Sequence, residues 1–177
     1  ARADALLELV KDLQYLNRRE AGRVTRTVER LDIAEVLRGQ LEFYRGQAER
    51  RTVDLRFEVG PGDTTANVDR GDLDRVFMNL ISNGIKYNRE GGTLTVRLDP
   101  RPDRLEIRFE DTGIGMSETE QAGLFQEFYR AHNPQTQGIS GTGLGLATVR
   151  RVLTAANGRI DVHSTPGKGS TFSLPRT

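Results

Sequence analysis

Apolar positions along this chain repeat with two periods, and the switches between them mark out the elements. Leu6, Leu9, Leu13 and Leu16 step by three and four, an a/d seam over two heptads, and the helix they predict stops near Gly22. A seam so narrow calls for a partner helix, so the segment reads as half of a helical hairpin; the alternative is an amphipathic helix packed on its own domain. Val24, Arg26, Val28 and Arg30 alternate as a strand over 24–30. Asp32 then opens a helix, with Glu35 at capping-box spacing and a stripe of Ile33, Val36, Leu37, Leu41, Tyr44 and Ala48. Val53, Leu55, Phe57 and Val59 alternate as a strand closed by Gly60-Pro61-Gly62, and a short strand follows over 66–68. The next helix runs from Asp72 to Tyr87, before the break at Gly91-Gly92.

Two hairpins complete the pattern. Leu94, Val96 and Leu98 face Leu105, Ile107 and Phe109 across Pro100-Arg101-Pro102-Asp103; Ile160 and Val162 face Phe172 and Leu174 across Pro166-Gly167-Lys168-Gly169. Between them a short helix begins at Ser117, capped by Glu120, and nothing is periodic from Tyr129 to Gly141, a length that is usually functional or disordered. A helix over 144–157 ends at Gly158, which suits the left-handed C′ position. Hairpins demand antiparallel pairs, so the fold class is α+β: a two-layer α/β sandwich with a mixed sheet of about five strands and three main helices, preceded by one N-terminal helix. A doubly wound parallel sheet is excluded.

Composition narrows the functional classes. With 26 Lys+Arg against 25 Asp+Glu in 177 residues, the net charge of +1 provides no field for nucleic acid. No cysteine is present, which excludes disulfides and thiolate metal sites. No apolar run approaches the ~18 residues of a membrane span, and no signal-like segment opens the chain. The first residue is Ala1 and a helical pattern is already running at Leu6, so the chain reads as a piece of a longer protein.

Chemistry concentrates in three places. On the helix over 72–87, with Asn79 at zero, Asn83 falls at about 40° and Lys86 at about −20°, beside an apolar face of Leu73, Val76, Phe77, Leu80, Ile81 and Gly84. Two amides and an ammonium in one line suit a phosphate chain with its metal; a solvated helix face is the bland alternative. Asp111-Thr112-Gly113-Ile114-Gly115 follows a strand end, where an ionised Asp can accept from an exocyclic amine and the glycines let a flat ligand approach. Gly141, Thr142, Gly143, Leu144, Gly145 and Leu146 open a helix whose N–H groups can converge on an anion. Neither a Rossmann fingerprint nor a Walker A is present: a third fingerprint Gly would fall on Leu146, and Gly167-Lys168 is followed by Gly169.

Taken together and in this order, the motifs resemble the catalytic and ATP-binding domain of bacterial sensor histidine kinases, in the Bergerat (GHKL) ATPase fold shared with type II topoisomerases, heat-shock protein 90 and mismatch-repair clamps. Asn79-Leu80-Ile81-Ser82-Asn83-Gly84-Ile85-Lys86-Tyr87 resembles the N box and Asp111 to Gly115 the G1 box. Phe125-Gln126-Glu127-Phe128-Tyr129-Arg130 resembles the F box, Gly141 to Gly145 the G2 box, and Gly167-Lys168-Gly169-Ser170 the closing glycine box. The likeness spans about residues 24 to 175; residues 1–22 resemble the end of the second dimerisation helix, leaving 23–177 as the catalytic domain.

The resemblance implies a role for each matching residue. Asp111 accepts from the adenine amino group, with Ser170 a partner through water, and Gly113 and Gly115 make room. Asn83 ligates Mg²⁺ with Asn79 alongside. Lys86 and Arg130 contact phosphate oxygens, Tyr87 and Tyr129 flank the nucleotide, and Gly141 through Leu146 hold the phosphates at the end of a mobile lid. Gly84 stands where Ala is usual, Asn88 where Ser or Thr is common, and Glu127 where a basic or small residue is common. The phosphate acceptor of the family, a His with an acidic follower on the first dimerisation helix, has no counterpart: His132 precedes Asn133-Pro134, His163 precedes Ser164-Thr165, and both read as bystanders. The implied activity is transfer of the γ-phosphate of Mg-ATP to a histidine outside this chain, with little turnover alone. The clamp ATPases place a Glu where this chain has Asn79, and an amide is no general base. Implied partners are ATP, the dimerisation and histidine phosphotransfer domain of the same protein and a response-regulator receiver domain, with no nucleic acid and no membrane contact by this stretch. The implied setting is the cytoplasm, any sensor or inner-membrane anchor lying upstream of Ala1. Two alternatives stand beside it: an anti-sigma-factor type serine kinase, against which the N-terminal helix argues, and a nucleotide-gated interaction module that binds ATP without transfer.

Overall fold

Two carboxylates start the two longest helices. Asp32 ends β1 (Val28–Asp32) and caps α1 (Ile33–Arg50), its side chain accepting from the N–H groups of Ala34 and Glu35 and from the Thr64 hydroxyl at 2.6 Å. The third bond comes from a neighbouring strand entry, so the cap also anchors the turn before β3 (Thr65–Asp69). Asp69 ends β3 and caps α2 (Arg70–Lys86) by accepting from Asp72 N–H at 3.0 Å. The helix therefore begins two residues earlier than the apolar stripe predicts, because the cap and not the first apolar residue sets the start. In the computed structural model the described residues are 27–131 and 133–175. The leucine seam, the domain boundary after residue 22, the strand positions 24–26 and His132 lie outside them.

The remaining elements are β2 (Asp54–Val59), β4 (Thr93–Pro100), β5 (Leu105–Asp111), α3 (Glu118–Gly123), α4 (Gly145–Ala155), β6 (Asp161–Thr165) and β7 (Gly169–Pro175). Five strands form one sheet in the order β2-β4-β5-β7-β6, with β2 and β4 parallel and every other neighbour antiparallel. This is the mixed five-stranded α+β arrangement expected. β1 and β3 pair separately, Val28 opposite Asp69 through Asp32 opposite Thr65. That register corrects the expected first strand: pairing with β3 carries it on to Asp32 rather than ending it at Arg30.

Helices α1, α2 and α4 lie over one face, α2 packing against both of the others. Phe77, Leu80 and Ile81 from α2 meet Val96 and Leu98 from β4 and Phe109 from β5, with the Phe77 and Phe109 rings 5.9 Å apart. Each such side chain contributes about 1.5–3 kcal/mol by burial. Gly84 stands where α2 crosses Leu94, and a Cβ there would lie 2.6 Å from Leu94 Cδ1. A methyl there would require the Leu94 side chain to shift. The opposite sheet face carries partly exposed ion pairs such as Arg97–Glu58 and Arg108–Asp99, which solvent reaches and partly screens.

One terminus differs from expectation. After α4 the left-handed residue is Asn157 (φ 55°), not Gly158. Gly158 N–H donates to Leu153 O and Asn157 N–H to Thr154 O, the paired bonds of a Schellman motif one residue earlier. Asn tolerates this conformation, so Gly158 serves as the C″ donor instead.

Candidate functional site

A cleft of about 290 Å³ opens between the second half of α2, the adjoining ends of β5 and β7, and the loop leading into α4. The core-facing stripe of α2 locks the helix rotation, which turns Asn79, Asn83 and Lys86 into the cleft as the helical arithmetic requires. Arg75 and Ser82 also line it. They fall at about −40° and −60° on the same wheel, so a stripe extended one turn back and widened by about 40° takes in both.

The three polar side chains of that stripe are not equivalent. Asn79 Nδ2 donates to Arg75 O at 2.8 Å, and its Oδ1 abuts Gly145, where any Cβ would collide with it. Asn79 thus braces the start of α4. The Asn83 carboxamide has no hydrogen-bond partner among the described residues. Its oxygen suits a hard cation. No group of three or more His, Cys, Asp or Glu able to hold a metal occurs among the described residues, so a cation here would rest on Asn83, ligand oxygens and water, the manner of Mg²⁺.

Asp111 and Ser170 face each other across the β5–β7 ladder, which joins residues 59 apart in sequence. Asp111 Oδ1 accepts from Gly113 N–H at 2.9 Å and Ser170 N–H at 3.3 Å, leaving Oδ2 without a protein partner. Burial raises the Asp111 carboxyl to a pKa of about 6, against which the two backbone donors pull only partly. From sequence alone Asp111 is an ordinary ionised acceptor; the tertiary setting makes its charge conditional on pH. Ile114, Met116, Leu124 and Phe172 add apolar wall, and lay outside the sequence reading because each resembles any core residue.

Facing α2 is the N-terminus of α4. Thr142 Oγ1 accepts from Leu144 N–H at 3.2 Å, but no side chain caps the helix, so its first N–H groups remain directed at the cleft. Such an end favours an anion. Gly143 has φ 75° and a Cβ would stand 2.7 Å from the Phe128 carbonyl carbon; its own oxygen accepts from Phe128 N–H at 3.0 Å. Gly141, Thr142, Gly143, Gly145 and Leu146 line the cleft with Tyr87, Tyr129, Arg130, Gly115 and Ser170.

Two expected residues do not line it. Leu144 is buried as the helix N-cap, its apolar side chain drawn inward. Gly113 is buried against Tyr87 O and serves by holding Asp111 Oδ1. Arg130, expected on phosphate, donates through Nη2 to Ile139 O and so closes the loop after it. That aperiodic loop is tightly bonded: Thr136 is buried, its hydroxyl donating to Ala131 O, and Asn133 Nδ2 donates to Glu120 Oε1 at 2.7 Å. His163 is exposed on β6, outside the cleft.

Over 172 residues the chain is 33% identical to the circadian input-output histidine kinase CikA of Synechococcus elongatus, covering 96% of this chain and 23% of that protein. The first four curated relatives are matched over only 21–29% of their own lengths. Full-length ShkA, crystallised with AMPPNP, superposes with a TM-score of 0.81 at 27% identity over 97% of this chain and 35% of that one. Histidine kinase ThkA, solved with its response regulator TrrA, superposes at 0.78 over 99% of this chain and 49% of that one; at 18% identity this shows the fold alone. No helix among the described residues is long and apolar enough to cross a membrane. Residues 68–176, well over half of the chain, match the family described as histidine kinase-, DNA gyrase B-, and HSP90-like ATPases, and to that family the chain belongs.

Proposed function

We propose that this chain is the ATP-binding catalytic unit of a sensor histidine kinase, which binds Mg-ATP and passes the γ-phosphate to a histidine on the dimerisation domain of the same protein. The observation that supports it most is the convergence on one cleft of a base-sized acceptor, Asp111, an amide without a partner, Asn83, and the uncapped start of α4. Asp111 Oδ2 accepts from the adenine amino group. Asn83 holds the metal with Lys86 beside it, and the α4 N–H groups take phosphate oxygens. A Mg²⁺ ion held at Asn83 would supply positive charge to offset what develops on the phosphate oxygens. An incoming imidazole nitrogen forms a bond to the γ-phosphorus as the bond to the ADP oxygen breaks, so the chain supplies position and charge neutralisation. Hydrolysis stays slow because Asn79, tied to Arg75 O and pressed on Gly145, offers no base.

Residues 1–22 fit the end of a dimerisation helix, and a response-regulator receiver domain fits as the downstream partner, as TrrA is for ThkA. The setting is cytoplasmic. Calorimetric titration with ATP, with and without Mg²⁺, tests binding; incubation of the parent protein with γ-labelled ATP tests transfer, the expected product being an acid-labile phosphohistidine. Absence of binding overturns the reading. Binding without label in the parent favours a nucleotide-gated interaction module.

A further inference from the structure

Ser164 lies on β6, outside the cleft, and the proposed function leaves it without a role. Its hydroxyl touches three groups. Met116 N–H donates to Ser164 Oγ at 2.8 Å, Ser164 Oγ donates to Gly169 O at 2.9 Å, and Ser170 Oγ lies 2.9 Å away. A hydroxyl has a single proton. Ser164 Oγ stands in donating geometry to the Gly169 carbonyl, which can only accept; with its single proton placed there, the contact with Ser170 is one that Ser170 donates. Ser170 is 8% exposed and lines the cleft, while Ser164 does not. With its proton turned back to Ser164, Ser170 Oγ offers the cleft lone pairs only.

Beside it stands Asp111, also an acceptor. Its Oδ1 is filled by the Gly113 and Ser170 N–H groups and its Oδ2 is open. The base end of the cleft is therefore lined by two adjacent acceptors and no side-chain donor from this pair. We infer that Ser164 is a specificity-determining positioning residue: by holding the Ser170 proton away from the cleft it makes the site accept 6-amino purines, which present two N–H donors, and reject 6-oxo purines, whose acceptor oxygen would meet acceptors. This rests on the nucleotide-binding reading of the cleft. It concerns a residue that does not touch the nucleotide.

The test compares ATP with inosine triphosphate, which keeps the sugar, phosphates and ring size and exchanges the 6-amino group for 6-oxo. Titration of the full chain with each, in Mg²⁺, gives a discrimination ratio of dissociation constants. In Ser164→Ala the Ser170 hydroxyl is released to rotate and donate to a 6-oxo group. The ratio should fall at least tenfold, chiefly through tighter inosine triphosphate binding, and Ser164→Thr, which keeps the hydroxyl, should restore it. A purely structural role for Ser164 would weaken both nucleotides alike and leave the ratio unchanged, which overturns the inference. An unchanged affinity for both nucleotides overturns it too. Failure of the wild type to bind either nucleotide instead overturns the nucleotide-site reading on which the inference depends.

Discussion

Replacing Asp111 by Asn should move binding and stability in opposite directions. The amide oxygen of Asn can still accept from Gly113 and Ser170 N–H, so the backbone around it is retained and the amide NH₂ takes the position of Oδ2. A charged acceptor for the adenine amine then becomes a donor. Loss of a hydrogen bond to a charged group costs about 1.5–3 kcal/mol, or about 10- to 150-fold in affinity, before any donor–donor repulsion. Stability responds the other way. The carboxyl rises from 3.8 to about 6 through burial, so the folded state disfavours its ionised form. A raised acid retains its proton in the fold between those values, so stability falls as pH rises through that window. Above pH 6 the wild type bears the full penalty. At 1.36 kcal/mol per pKa unit the penalty is at most about 3 kcal/mol, and Asn is free of it. At pH 7.5, Asp111→Asn should therefore bind ATP at least about tenfold more weakly by calorimetry while melting at least about 2 °C higher without nucleotide. Equal ATP affinity in the two proteins would refute the placement of the base. A lower melting temperature for the variant would refute the account of Asp111 as a desolvated charge.

Three further outcomes are expected. Wild-type ATP affinity should weaken as pH falls from 7.5 to 5.5, because Asp111 takes up a proton, whereas Asp111→Asn should be flat over that range; parallel pH profiles would rule this out. Gly84→Ala should cost about 1–3 kcal/mol in urea unfolding, since its Cβ meets Leu94 Cδ1, and Leu94→Val in the same chain should recover most of it. Asn83→Ala should remove the increment in ATP affinity that Mg²⁺ supplies, bringing dissociation constants with and without the ion together; an undiminished increment would place the ion elsewhere.

The sequence by itself determined most of the architecture and the composition of the site. Period-2 alternation in β2, β4, β5 and β7 and the apolar stripe of α2 are local facts, and a stripe that must face the core leaves Asn79, Asn83 and Lys86 no other face to occupy. The glycine pairs were legible because left-handed φ at Gly115 and Gly143 and the close approach at Gly113 admit nothing larger. What only the tertiary structure decided concerns groups distant in sequence. The strand order set Ser170 opposite Asp111, with Ser164 behind it on the neighbouring strand. Burial shifted the Asp111 titration, and Leu94 crowds the place a methyl at Gly84 would take. Periodicity reports which face a residue takes; it says nothing of which hydroxyl donates, which carboxyl is desolvated or which helix end is left uncapped. Those follow from packing, and packing joins residues whose separation along the chain has no period.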